Sequence, residues 1–426
     1  MRSVFEDLRW RGLVHQLTDE ETLAKRLDSD RMVVYIGFDP TAGSLHVGHL
    51  QQLCLLRRLQ AGGHQVIALV GGGTGMIGDP SGKSEERNLL SVEQLDANRS
   101  GIRAQIESFL DVGSENPPVV ADNHEWLAGA RLLEFLRDVG KYFSVNEMVR
   151  KDSVRARLDG REQSLSFTEF SYMLLQAWDF VQLFDRYGCQ LQLGGSDQWG
   201  NITEGIDLIR RLRGATAYGL TSPLVTKADG TKFGKTESGA VWLDPARTSV
   251  YAFYQFWLRT GDADAGGYLR RFTMLDHAQI EELESALAER PERREAQRAL
   301  AFEMTAMVHG RPEAERAERA SAVLFTEGIA ELDAATLEGA LSDAPTTEVE
   351  RPALEAGLDL LEALVSCGLA TSRRDGRQLL SQGSVYVNGR RAAEDRVLSP
   401  ADALHGRWIV LRRGKANQHV LAVDPG

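Results

Sequence analysis

Between Tyr35 and His49 the chain reads YIGFDPTAGSLHVGH, changing physical character three times in fifteen residues. Each change has a chemical use. MVVYIGF is an apolar, β-branched run of strand length, and DPTAGS is a turn cluster that cannot continue it. Ser44 stands where an N-cap belongs. From His46 onward Leu50, Leu53, Cys54 and Leu56 recur at helical spacing until Gly62 and Gly63 stop the run. Strand, loop and helix in this order place His46 and His49 on one face of a first helical turn, where unpaired N–H groups and the positive dipole end face outward. An anion suits that place. Two imidazole donors there suit a triphosphate better than a metal, since no third ligand stands at metal spacing nearby. By itself, His-x-x-His also describes ordinary helix-surface histidines.

A second strand pattern, QVIALV, runs into the loop GGGTGMIGDPSG. Alternating strands and helices imply a parallel sheet, and ligands of such sheets bind at the carboxyl ends of strands, where the loops 39–44 and 71–82 lie. Taken singly, each glycine reads equally well as a tight turn. The next informative element is a largely apolar helix, Phe167 to Leu183, opened by Ser166 with Glu169 three residues on. Tyr172, Gln176 and Asp179 stand on it at i, i+4 and i+7, so three polar groups share one stripe and need partners. An internal hydrogen-bond network or a solvated stripe would also satisfy that pattern. CQLQLGG is a further strand, and SDQWGN the loop at its end, with Gln192, Asp197 and Gln198 as polar groups and Gly194 and Gly195 permitting close backbone approach. On the following helix Arg210 and Arg211 reach an RNA end or simply face water.

Composition matters at two points. The 426 residues carry a net charge of −12, which argues against a nucleic-acid partner until its distribution is considered. From Ser366 to Gly426 ten Lys or Arg stand against five Asp or Glu, giving +5 and leaving −17 for the remainder. Lysine is also scarce, eight against 41 arginines, yet Lys227, Lys232 and Lys235 fall within nine residues of the polar loop KADGTKFGKTESG. A compact ammonium on a flexible stem is the group such a loop selects. Cys54, Cys189 and Cys367 are odd in number and far apart, so they read as buried small apolar residues rather than disulfides or a zinc site. No apolar run reaches membrane-span length and the N-terminus does not resemble a signal peptide, which places the expected location in the cytoplasm.

Taken together, HVGH and KFGKT resemble the two class I aminoacyl-tRNA synthetase signatures, HIGH and KMSKS, in the form found in bacterial tyrosyl-tRNA synthetases. The resemblance implies an α/β fold: a Rossmann-type parallel-sheet catalytic domain over 1–246 with a dimerisation insertion, then an α-helical anticodon-side domain over 247–326. An acidic linker follows over 327–355, where eight acidic residues face only Arg351. A small α+β RNA-binding domain of ribosomal-protein type occupies 356–426, with Asn388 and Gly389 as a hairpin turn. The implied reaction joins L-tyrosine to ATP and passes the tyrosine to tRNA(Tyr), in a homodimer, with Mg²⁺ accompanying ATP and no protein-bound cofactor or metal.

By the same resemblance, Thr41, His46, His49, Lys232, Lys235 and Thr236 act in catalysis. Tyr35, Thr74, Asp79, Tyr172, Gln176, Asp179 and Gln198 hold tyrosine, with Tyr35 and Asp179 on the phenol. Gly37, Asp39, His46, Gly48, His49, Gly195, Asp197 and Lys235 hold ATP, and Arg210, Arg211, Arg373, Arg374 and Arg377 meet tRNA. Ile36 departs from the pattern, because many relatives carry there a cysteine that reaches the ribose. A tryptophanyl-tRNA synthetase would share the fold and both signatures, but an indole N–H only donates and would leave Tyr35 surplus. An RNA-binding paralogue without catalysis is the reading from another class, and the intact histidines and lysines count against it.

Overall fold

The computed structural model describes the chain apart from residues 1–2, 81–89, 152–153, 156–164, 229, 232, 237–238, 325, 343, 415–416 and 425–426. It divides into two compact units, 1–244 with 260–300, and 245–259 with 301–426.

The first unit is built on a six-stranded sheet: β1 Gln16–Leu17, β2 Val33–Phe38, β3 Gln65–Val70, β4 Val119–Asp122, β5 Leu191–Gly195 and β6 Tyr218–Ser222, in the order β1-β6-β5-β2-β3-β4. β2 to β6 are parallel, and β1 closes one edge antiparallel to β6. Both faces of a parallel sheet are covered by helices, which is why β3 and β5 are apolar and buried almost throughout. The chain moves outward one way from β2 to β4 and the other way from β5 to β6. The crevice between the carboxyl ends of β2 and β5 is therefore the topological switch point where ligands bind. A short hairpin of β7 Lys235–Thr236 and β8 Gly239–Ala240 stands apart from this sheet.

The helix Val47–Ala61 buries Leu50, Leu53, Cys54, Leu55, Leu56 and Leu59 together with the polar Gln51, Arg58 and Gln60, so it is enclosed on most sides rather than lying on the surface. The polar-striped helix runs Phe167–Tyr187, and its expected start is observed: Ser166 and Glu169 cap each other reciprocally. Helices Asp262–Phe272 and His277–Glu289 also belong to this unit. The helical stretch expected as a domain over 247–326 is thus shared between the units. Buried guanidinium groups account for the division. Arg11 donates to the carbonyls of Arg270 and Leu275 at 3.0 and 2.8 Å, and Arg58 donates to that of Thr273.

In the second unit, β9 Thr346–Val349, β11 Val385–Val387, β12 Arg390–Arg391, β14 Trp408–Arg413 and β15 Asn417–Val423 form a sheet in the order β12-β11-β14-β15-β9. β10 Leu358–Asp359 pairs separately with β13 Val397–Leu398. Helices Leu360–Ser366 and Arg373–Ser381 pack over the larger sheet through Leu364, Leu379 and Leu380, and Asn388 and Gly389 turn between β11 and β12. Residues 327–355, where composition points to a linker, are built into this unit. They contain helix Ala334–Leu341, whose Leu337 and Leu341 are buried, and β9, which runs parallel to β15. Strand addition works through backbone hydrogen bonds, so acidic side chains on its exposed positions do not prevent it.

Candidate active site

His46, not Ser44, caps the signature helix. The Ser44 hydroxyl is buried, donating to Leu45 O at 2.7 Å and accepting from the Gln105 amide at 2.9 Å and the Asp244 N–H at 3.2 Å, so it has no capacity left for the helix. Instead the Gly48 N–H donates to His46 Nδ1 at 3.0 Å, and the His46 N–H donates to His49 Nδ1 at 3.1 Å. The two histidines form a reciprocal capping box. A Cβ on Gly48 would lie 2.7 Å from the His46 ring, which accounts for glycine at that place. Because each Nδ1 accepts from backbone, each ring carries its hydrogen on Nε2 and offers it as a donor. Burial, followed by the neighbouring His46, pushes the His49 pKa down to about 3, so this ring is a neutral donor at physiological pH.

Backbone pairing joins the second signature to the first. The Val47 N–H donates to Val241 O at 2.9 Å, and Trp242 meets the His46 ring edge-on at 5.9 Å. Gly234 of KFGKT has φ of 80°, and a Cβ there would lie 2.9 Å from Val47 Cγ2. The hairpin β7–β8 carries Lys235 and Thr236 on its backbone. Lys232 lies outside the described residues.

Inside the crevice three carboxylates sit in different surroundings. Asp179 is 2% exposed, and its two oxygens accept from the Asn123 amide at 2.8 Å and the Trp126 indole at 2.7 Å. Burial outweighs those donors and raises its pKa to about 8. The nearby Tyr35 hydroxyl is buried with no partner, and its pKa is raised by burial and then by Asp179. Tyr35 packs against Phe180, ring centroids 5.2 Å apart. Asp39 accepts from Thr74 Oγ1 at 2.8 Å and from the Tyr172 hydroxyl at 2.9 Å. Asp79 accepts from Gln198 Nε2 at 2.8 Å, while the Gln176 amide donates to Gln198 Oε1 at 3.3 Å. Asn201 donates to both glutamines, at 2.9 and 3.2 Å. All three polar groups of the stripe are therefore partnered: Tyr172 and Asp179 are linked through Asp39, Thr74 and Asn123, and Gln176 is joined to Gln198 and Asn201, with Asp79 bonded to Gln198.

Gly37 and Thr41 are exposed at the carboxyl end of β2, across the switch point from Gly195 and Asp197 at the end of β5. Burial, then Asp79, raises the Asp197 pKa. Ile36 is 2% exposed and apolar, with no donor for a ribose. Outside the crevice, Arg210 and Arg211 both pair with Asp207 at 2.5 Å, and Arg211 also donates to Tyr142 O at 2.6 Å. Arg373, Arg374 and Arg377 are exposed on their helix, where Arg373 lies 3.3 Å from Asp359. Asn123, Trp126 and Trp242 escaped the sequence reading. The one available signal for the first two was their place just after the β-branched run VVAD, a third strand ending at the same sheet edge.

Known proteins resemble this chain over nearly its whole length. The family described as tRNA synthetases class I (W and Y) matches residues 27–326, and the Tyrosine--tRNA ligase SYY-like C-terminal domain matches 336–421. The Tyrosine--tRNA ligase of Roseiflexus castenholzii is 54% identical over 424 residues, covering 99% of both chains. That of Geobacillus stearothermophilus is 50% identical over 418 residues, covering 97% of this chain and 98% of that protein. Among solved structures, the C-terminally truncated mitochondrial tyrosyl-tRNA synthetase of Aspergillus nidulans superimposes with a TM-score of 0.70 at 32% identity, covering 76% of this chain and 95% of that one. With both signatures meeting at the switch point and relatives matching from end to end, the chain belongs to the tyrosine–tRNA ligase family of class I tRNA synthetases.

Proposed function

We propose that the crevice binds tyrosine with its phenol between Tyr35 and Asp179, and its α-amino group against Asp79, Tyr172, Gln176 and Gln198. Thr74 acts through Asp39. As a member of its family the chain ligates tyrosine to tRNA(Tyr) using ATP. The observation that carries the residue assignment is the pairing of a buried, partnerless Tyr35 hydroxyl with a buried carboxylate already oriented by Asn123 and Trp126. A phenol both donates and accepts, so it answers both groups.

ATP would lie over Gly37, Asp39, Gly48, Gly195 and Asp197, with its phosphates at Thr41 and the Nε2–H donors of His46 and His49. In the first step a tyrosine carboxylate oxygen attacks the α-phosphorus, and the bond to the β-phosphate oxygen breaks to release pyrophosphate. The nucleophile is ionised at neutral pH, so no general base is required. Catalysis comes from alignment and from donors that strengthen their hold as charge moves onto the leaving group. Lys232 and Lys235 oppose that charge with their ammonium groups and Thr236 adds a hydroxyl donor from the second signature, and Mg²⁺ would accompany the phosphates. A terminal ribose hydroxyl of tRNA then attacks the acyl carbonyl, releasing AMP. Arg373, Arg374 and Arg377, on an exposed helix beside a small sheet, and Arg210 and Arg211 are the proposed tRNA contacts. The setting is the cytoplasm, where charged tRNA is used.

Exchange of labelled pyrophosphate into ATP, run separately with tyrosine, phenylalanine and tryptophan, tests the reading. Exchange with tyrosine alone is expected. A preference for tryptophan would overturn the roles of Tyr35 and Asp179, and no exchange from folded, RNA-binding protein would leave a binding protein without catalysis.

The proposed homodimer is supported by large apolar side chains left exposed in the insertion, Leu132, Leu133, Leu136 and Val145, and by Phe167, with Leu133 80% and Phe167 78% exposed. Exposed apolar groups in such number mark an interaction surface. Sedimentation equilibrium is expected to give twice the chain mass for the parent and the single chain mass for Leu133→Asp. A monomeric parent would refute the assignment.

A further inference from the structure

One face of helix Asp262–Phe272 contacts the second signature loop at three points. Asp264, Tyr268 and Phe272 lie at i, i+4 and i+8, one above another on that face. The Ala228 N–H donates to Asp264 Oδ1 at 2.8 Å, and the Tyr268 hydroxyl donates to Thr226 O at 3.3 Å. Further along, the Phe233 ring of KFGKT stacks on Phe272 at 5.3 Å and meets Tyr268 edge-on at 5.2 Å. These contacts hold the loop backbone before its first signature lysine and the aromatic residue directly after it.

The other end of this helix is tied to the first signature. Arg58 and Cys54, both on the helix that His46 caps, reach the carbonyls of Thr273 and Phe272, the latter at 3.0 Å. Arg11 holds two more carbonyls of the same terminus. One rigid helix therefore sets the spacing between the two signatures. The loop turns sharply at Gly230, Gly234 and Gly239, all at positive φ, so where it lies against the first signature depends on the outside contacts that hold it.

We propose that Asp264, Tyr268 and Phe272 are positioning residues for tyrosine activation: they fix the loop relative to His46 and His49, and so set where its ammonium groups meet the leaving phosphates. The proposal rests on the assignment of Lys232 and Lys235 above. None of the three touches substrate. Their removal therefore acts on the transition state of activation and leaves tyrosine binding alone.

Asp264→Ala is expected to lower kcat for pyrophosphate exchange about tenfold, with the KM for tyrosine unchanged. Asp264→Asn keeps a carbonyl acceptor for the Ala228 N–H and is expected to restore most of the rate. Tyr268→Phe keeps the ring against Phe233, loses the bond to Thr226, and is expected to lower kcat about fivefold. Thermal melting of each variant is followed in parallel. Parental kcat in both Asp264→Ala and Tyr268→Phe would overturn the proposal, as would an Asp264→Asn variant as slow as alanine. Equal losses of kcat and tyrosine affinity, in step with lower melting temperature, would also overturn it by showing a purely structural role. Lys235→Ala is the control for the assignment beneath: if it exchanges at the parental rate, that assignment fails. Slow Lys235→Ala with fast Asp264→Ala removes the positioning role alone.

Discussion

Asp179→Ala is expected to lower kcat/KM for tyrosine by about 10²- to 10³-fold in pyrophosphate exchange. Two losses combine. The substrate phenol gives up a hydrogen bond to a buried carboxyl oxygen, worth about 0.5–1.5 kcal/mol, and the Asn123 and Trp126 donors are left buried and unsatisfied, at about 1–3 kcal/mol each. Selectivity over phenylalanine should collapse with it, since rejection depends on buried polar groups that only the hydroxyl can pair; tyrosyl-tRNA synthetases are themselves the known instance of that rule. Tyrosine exchange within a few-fold of the parent would remove Asp179 from the pocket floor.

The same residue leaves a signature in stability. Its folded pKa of about 8 lies above the unfolded carboxylate value, so the folded state holds a proton that the unfolded state has released. Stability from this group therefore falls as pH rises toward 8. His49 works oppositely, because its folded pKa of about 3 lies below the unfolded value, and its contribution is lost as pH falls from about 6.5. Between about pH 6.5 and 8 the Asp179 slope stands clear of His49, amounting to roughly 2 kcal/mol. Denaturant titrations of the parent and Asp179→Asn at these two pH values should differ by that amount, the variant being flatter. Parallel pH profiles would mean that Asp179 is ionised in the folded state.

His46→Ala should slow exchange by about 10²- to 10³-fold, the usual effect of deleting one donor used in the transition state, while tyrosine affinity measured by equilibrium dialysis stays at the parental value. Folding should lose only about 1 kcal/mol, the typical worth of an N-cap. His46→Asn separates the two roles. Asparagine is a good cap and can accept from the Gly48 N–H, so stability should return; it cannot place a donor where Nε2–H stands, so exchange should remain slow. Rapid exchange in His46→Asn would mean that capping is all this histidine does.

What could be read from the chain alone was mostly local. Tyr35 to His49 announces strand, turn and helix because each piece satisfies its own short-range chemistry, and the i, i+4, i+7 stripe puts Tyr172, Gln176 and Asp179 together whatever the helix packs on. What escaped was decided at a distance. Serine is a better N-cap than histidine in isolation, but the Gln105 amide and the Asp244 N–H take up the Ser44 hydroxyl. Asn123 and Trp126 reach Asp179 only because β4 lies two strands from β2 in the same parallel sheet, a fact of topology that their own sequence does not carry. Residues 262–272 carry no signal of their own, because their significance lies in what two distant arginines and one distant phenylalanine do to them.

The parallel pairing of Thr346–Val349 with Asn417–Val423 bears on how this protein can be dissected. Treating the acidic stretch as a disposable tether and cutting near residue 355 would strip the outermost strand from the small sheet, baring the backbone donors and acceptors of Val420–Val423 along one side. An open, largely apolar border of that kind recruits other chains. The isolated tail would then aggregate through that border, whereas a fragment that begins upstream of Pro345 keeps it closed.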